Sequence, residues 1–102
     1  MIQLDSELGK KLGFTSDKFL HMSYLWKNGS DVILSFIAST EHYKGYLKGL
    51  VWQTESLGYR VLVPTPLPQM KAILQHWGWI EEPVFDETLP DIIHVWHRQD
   101  NR

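Results

Sequence analysis

A chain of 102 residues and 12.0 kDa has the length of one domain, burying roughly 60–68% of the surface its unfolded chain exposes. With 43% hydrophobic and 22% charged residues it falls outside disordered composition, and the absence of cysteine excludes a disulfide scaffold, thiolate-bound zinc and a cysteine nucleophile. A net charge of −2 argues against a dedicated nucleic-acid binder, which needs a basic excess or a basic face.

The residues 4–13 predict a short helix: Leu4, Leu8 and Leu12 recur every four positions, Asp5 or Ser6 can cap its start, and Gly13 suits its end. Gly9 weakens that pattern, and an N-terminal strand is the alternative. From Phe19 to Trp26 and from Asp31 to Ala38 the pattern is that of two strands, joined by Lys27-Asn28-Gly29-Ser30. Asn-Gly supplies the two positive-φ residues of a type I′ hairpin turn. The run 32–38 is apolar at successive positions, as a strand covered on both faces requires. It is also far shorter than the ~20 residues that span a bilayer.

A helix is expected from about Glu41 to Leu57, with Tyr43, Leu47, Leu50, Thr54 and Leu57 on one stripe and Gly58 as its stop. A strand over 59–63 follows, ended by Pro64. A second helix starts near Pro66 or Pro68, carries Met70, Ile73, Leu74 and Trp77 on its inner face, and closes at Gly78. Two strands, 79–85 and 91–98, complete the chain, joined by residues 86–90. The order (α)ββαβαββ predicts a single domain over 1–102 of the α/β (α+β) class, a mixed twisted sheet with helices packed on it. Its two strand–helix–strand crossovers imply neighbouring parallel strands.

The segment Ser39 to Leu50 carries the most chemistry. A strand that feeds a helix opening with Lys44, Gly45, Lys48 and Gly49 offers backbone N–H groups and positive charge to an anion. The competing reading is an ordinary amphipathic helix with solvated lysines. His94 and His97 are three apart, which on a strand puts them on opposite faces and not on one metal. Glu81-Glu82-Pro83 reads as a solvated strand start.

These residues and this element order resemble the GNAT N-acetyltransferase superfamily over about residues 18–98. Its members place an Arg/Gln-x-x-Gly-x-Gly/Ala loop between a central strand and a helix, followed by a strand, a second helix and a closing strand pair. Lys44 stands at the Arg/Gln position, Gly45 follows it, Gly49 is the last small residue, and Leu47 replaces the first signature glycine. Gly78-Trp79 is similar to the Gly-Phe pair that ends the family's second helix. The resemblance implies acetyl-coenzyme A as cofactor, its diphosphate held by Ser39, Lys44, Gly45, Lys48 and Gly49, and its arm lying between the strands that end at Ser39 and Val63. It implies transfer of an acetyl group to an amine of a small molecule or a protein lysine, with Glu41 and His42 as the nearest bases and Ser39 and Thr40 as ligands of a relay water. Glu41 has the alternative role of a helix-dipole partner. Leu74 stands where many members carry a proton-donating tyrosine, and His76 is the nearest substitute acid.

A second reading, from a different class, is a catalytically degenerate module of the same fold that binds a protein, as in the small truncated members that bacteriophages carry. Tyr46, Trp52, Trp79, Trp96 and His97 would supply aromatic surface for it, and the strand 91–98 would offer an open edge to a second copy. Convergence of Lys10, Lys11, Lys44, Lys48 and Arg60 would be needed for nucleic acid. Residues 1–7 show no secretory signal, so the expectation is a cytoplasmic protein with no membrane partner.

Overall fold

The computed structural model describes residues 1–41, 44–84 and 92–99. Its elements are α1 (Glu7–Leu12), β1 (Tyr24–Asn28), β2 (Asp31–Phe36), α2 (Tyr46–Ser56), β3 (Arg60–Pro64), α3 (Pro68–His76), β4 (Ile80–Val84) and β5 (Ile93–His97). The fold is a mixed α+β arrangement of three helices and five strands, hydrogen-bonded in the order β1-β2-β3-β5-β4. The chain forms two compact units, 1–61 and 62–102.

In the first unit, α1 starts where Ser6 accepts the Gly9 N–H at 3.0 Å and ends at Gly13, whose φ is 81°. Leu4 therefore precedes the helix and only Leu12 of the leucine stripe is fully buried. The N-terminal strand reading survives as a single bridge, with Ile2 N–H donating to the Leu25 carbonyl at 2.7 Å.

The hairpin forms with Asn28 opposite Asp31, so Gly29 and Ser30 are the two turn residues. Gly29 has φ 63° and Ser30 is not among the positive-φ residues. One positive φ, at the first central position, is the type II′ pattern and not the expected I′. Asn28 is drawn into the ladder instead of the turn. The strand β1 is also shorter than 19–26. The register shifts between Tyr24 and Leu25, and pairing resumes only at Phe19, opposite Ser39, with Leu20 N–H on the Ala38 carbonyl at 2.7 Å. Across that interruption a side chain stands in for backbone. Buried Ser23 accepts the Ala38 N–H through Oγ at 3.0 Å and donates its hydroxyl to the Ala38 carbonyl at 3.3 Å. Ser23→Ala strands both groups and is expected to cost about 1–2 kcal/mol, read as a lower urea midpoint with an unchanged slope.

Only one face of β2 is deeply buried. Val32 and Leu34 are covered, Ile33 and Ser35 are half-buried, and Phe36 is exposed. The doubly covered strand expected from the apolar run is therefore corrected to a singly covered one. Tyr24 and Trp26, opposite Phe36 and Ile33, leave that second face open to solvent. The core of this unit is built from Leu12, Phe14, Phe19, Leu25, Val32, Leu34, Leu50 and Val51. The Phe19 ring lies 5.5 Å from that of Phe14 and 6.5 Å from that of Tyr46, within the range of favourable aromatic pairs. Buried Thr54 satisfies its hydroxyl on the Leu50 carbonyl at 2.6 Å. The start of β3 lies beside the start of β2. Arg60 N–H donates to Ser30 at 2.8 Å, and the Arg60 guanidinium forks onto both Asp31 oxygens at 3.0 and 3.1 Å. The two strands consequently run parallel, as their crossover requires.

In the second unit, Pro68 opens α3 where its missing N–H costs nothing, and Leu74, Trp79 and Trp96 are buried. The second crossover does not bring its strands together. β5 runs antiparallel to β3, with Val63 opposite Trp96, and antiparallel to β4, with Glu82 opposite Val95. Both sides of β5 are thus occupied. The free ladder expected of strand 91–98 for pairing with a second copy is absent, because the last strand inserts between the two before it. β4 is the edge instead, exposed at all five positions and carrying Glu81, Glu82 and Pro83, residue types that blunt edge-to-edge association. His94 and His97 point to opposite faces. His94 Nδ1 lies 2.7 Å from Glu81, and His97 Nε2 lies 3.3 Å from Glu82 without hydrogen-bond alignment. The connection 86–90 lies outside the described residues.

Candidate functional site

The opening of α2 decides what the segment 39–50 can do. The helix begins at Tyr46, five residues later than the apolar pattern implies, with Gly45 as N-cap at φ 74°. A left-handed N-cap without a hydroxyl or carboxylate leaves this end with no side-chain cap, and the first turn holds no acidic residue. The amides of Tyr46, Leu47 and Lys48 have no intrahelical acceptor. Gly49 is the first to close a turn, donating to Gly45 at 2.9 Å. Lys48 sits in that first turn, where a cation is disfavoured by the helix dipole. Positive potential is therefore concentrated here and left uncompensated within the helix.

Glycine at position 49 has no internal cause. It is exposed, and a Cβ built there meets nothing within 4 Å. Helical glycine costs about 1 kcal/mol against alanine, so the chain bears that cost without a close packing contact that demands it. Leu47, at the position of the missing signature glycine, is half-buried.

Among the other candidates, Glu41 is exposed and lies 3.9 Å from Lys44. The late start of α2 removes it from the first turn, so the dipole-partner role is replaced by a loose ion pair, a kind worth about 0–1 kcal/mol. His42 lies outside the described residues. Ser39 bridges Phe19 through its backbone. The hydroxyl of Thr40 donates to the Asp17 and Lys18 carbonyls at 3.0 and 3.1 Å, which ties it to structure instead of to a relay water. Leu74 is 1% exposed, and His76 is exposed in the last turn of α3, where a cation complements the dipole. Arg60 is engaged by Asp31, and Lys10 and Lys11 close α1.

The exposed aromatic residues are not those singled out from the sequence. Trp79 and Trp96 are buried and Tyr46 is half-buried; Trp52 alone of the tryptophan and tyrosine candidates is exposed. The open aromatic surface is instead on the hairpin, where Tyr24 and Trp26 stand edge to face with ring centres 6.4 Å apart and Phe36 is exposed beside them. A period-2 reading of Tyr24-Leu25-Trp26 carries that signal once the hairpin register is known.

No helix among the described residues is long and apolar enough to cross a membrane, and no group of three or more potential metal ligands occurs among them. Comparison with protein-family models, with curated proteins and with solved structures finds no match.

Proposed function

We propose that this chain is a minimal GNAT-like acyl-coenzyme A-dependent N-acetyltransferase whose α2 opening receives the coenzyme's diphosphate. The observation that carries the reading is the N-terminus of α2: no side-chain cap from Gly45, no acidic residue in the first turn, Lys48 in that turn and Lys44 just before it. A phosphate would satisfy the amides of Tyr46, Leu47 and Lys48 and offset the charge of both lysines. Open space at Gly49 supports the same reading, because a phosphate group approaching the second turn needs a residue without bulk. Acetyl-coenzyme A, when bound, supplies the activated acyl group. Glu41, exposed and only loosely paired with Lys44, remains the described side chain with the chemistry to accept the amine's proton.

The test is binding before turnover. At ten times its dissociation constant, acetyl-coenzyme A stabilises a single-site protein by about 1.4 kcal/mol, a rise of roughly 6–11 °C in the thermal midpoint. Gly49→Glu should abolish that rise by placing a carboxylate over the amides. Gly49→Ala should raise the midpoint of the free protein, by about 0.5–1 kcal/mol in stability. No shift with millimolar coenzyme, or an equal shift in Gly49→Glu, removes the reading.

A second reading, the non-catalytic module that binds a protein, is favoured by one observation: the exposed pair Tyr24 and Trp26 with Phe36 on the open face of the hairpin. Aromatic side chains of this kind are enriched at the centres of protein interfaces. Wild-type protein that ignores the coenzyme, together with a partner lost in Trp26→Ala, would favour it over catalysis.

A further inference from the structure

One face of the β4–β5 ladder, in the second unit, stays accessible among the described residues. Residues opposed across a ladder share a face, and side chains alternate along each strand. Ile80 lies opposite His97, Glu82 opposite Val95 and Val84 opposite Ile93. Ile80, Glu82 and Val84 are exposed, and their partners are half-buried. Buried Trp96 belongs to the other face.

Glu82 and His97 are the polar members of this apolar face. They are diagonal neighbours, a spacing that long side chains bridge, and Glu82 Oε1 lies 3.3 Å from His97 Nε2. The other ring nitrogen, Nδ1, lies 3.0 Å from the Arg98 carbonyl. A carbonyl only accepts, so Nδ1 carries the proton and the neutral ring turns its Nε2 lone pair toward the carboxylate. Nε2 is shielded from solvent and has no hydrogen-bond partner.

Two electron-pair donors thus face each other as ligands do across one edge of a tetrahedron. Zinc bonds of about 2.0–2.2 Å to nitrogen and oxygen place neighbouring donors about 3.3–3.5 Å apart. Histidine that ligates a metal almost always donates its other N–H to a carboxylate, a water or a backbone carbonyl, which fixes the tautomer. The Arg98 carbonyl takes that part here. Zinc calls for four ligands, and no group of three or more potential ligands occurs among the described residues.

We propose that Glu82 and His97 form half of a zinc site, completed by the same two residues of a second copy across a twofold axis through the metal. Two carboxylates balance the charge of Zn²⁺, which the single carboxylate of one chain does not. A twofold axis sets the same patch against itself, so exposed Ile80 and Val84 of both copies are covered as the metal is shared. The contact uses the face of β4 and β5 and leaves their ladders untouched, so Pro83 at the edge does not oppose it. The inference goes beyond the coenzyme reading and does not rest on it, since neither residue belongs to the opening of α2.

Sedimentation velocity and native mass spectrometry of the full-length protein, first in EDTA and then with zinc chloride, provide the test. A monomer in chelator and a dimer holding one zinc per two chains are expected. Nitrogen NMR of the histidine rings should show His97 Nε2 shifting with zinc while Nδ1 keeps its proton. Magnesium, which takes oxygen ligands in an octahedron, should not replace zinc. Glu82→Gln, at an exposed position, should weaken zinc-driven dimerisation at least about tenfold, the lower end of what even outer-shell changes cost. His97→Gln should abolish it; if that half-buried position does not tolerate the change, Glu82→Gln still decides. Folded His94→Gln, altered on the opposite face, should dimerise as the parent does. No response to zinc, zinc bound by a chain that stays monomeric, a dimer unchanged in EDTA, equal dimerisation in Glu82→Gln, or its loss in folded His94→Gln overturns the proposal.

Discussion

Gly9→Ala lowers the stability of the folded chain by about 2 kcal/mol, seen as a fall of roughly 8–16 °C in the thermal midpoint. Helix propensity alone points the other way, since alanine is favoured by about 1 kcal/mol in a helix interior. Space decides the sign. A Cβ at Gly9 would stand 2.6 Å from the Gln3 carbonyl oxygen, 2.9 Å from Ser6 Oγ and 3.1 Å from the Phe14 carbonyl oxygen. Two of these are backbone atoms held by other bonds: Gln3 accepts the Ser6 amide and hydroxyl, and Phe14 accepts the Asp5 amide. Gly9 itself receives the Phe14 N–H at 2.7 Å. Relief of the clash therefore moves the cap of α1 or the backbone that seats fully buried Phe14. Gly49→Ala is the paired control, because the same substitution in a helix with open space has the opposite sign. A Gly9→Ala variant as stable as the parent would mean that residues 3–14 are not folded onto one another as described.

The contrast between these two glycines shows what the sequence could convey. Both sit inside a helical pattern, and nothing in their neighbours along the chain separates a glycine demanded by a carbonyl from one with room to spare. Element order was legible because it rests on local signals: the glycine of the hairpin turn at Gly29-Ser30, the stops at Gly58 and Gly78, the proline entry to α3. Element boundaries shifted wherever a tertiary contact replaced a local one. Ser23 interrupts β1 by bonding to Ala38 across the sheet, and a buried serine in a strand pattern carries no sign of that. The late start of α2 follows from Gly45 adopting a left-handed cap, whereas the apolar spacing of residues 43–57 runs straight through it. Strand order was least legible. Whether the last strand joins an edge or inserts between β3 and β4 depends on long-range pairing, and either outcome uses the same alternation of residues. The structure places Lys44, Gly45, Lys48 and Gly49 together at the opening of α2 because they fall within six consecutive positions, although that opening lies five residues later than the apolar spacing implies.

Leu74→Tyr introduces the tyrosine that the proposed resemblance to GNAT proteins would place here, and it is expected to destabilise the protein by about 2–4 kcal/mol while creating no proton donor. Leu74 is 1% exposed, and its carbonyl receives the Trp79 N–H at 3.0 Å as the chain leaves α3. Tyrosine there adds volume to a filled position and carries its hydroxyl into surroundings chosen for an isobutyl group. A buried hydroxyl without a partner costs about 1–3 kcal/mol in proteins, and the overpacking adds to it. The same burial bears on the proposed acetyl transfer: the residue at this position faces the interior, so under that proposal the leaving thiolate would take its proton from solvent or from an exposed side chain such as His76. Measurement of the urea midpoint checks the first part. The second is checked by turnover with acetyl-coenzyme A and a panel of amines, which should not rise in the variant. A Leu74→Tyr protein as stable as the parent, with increased acetyl transfer, would show instead that this face of α3 opens to the substrate.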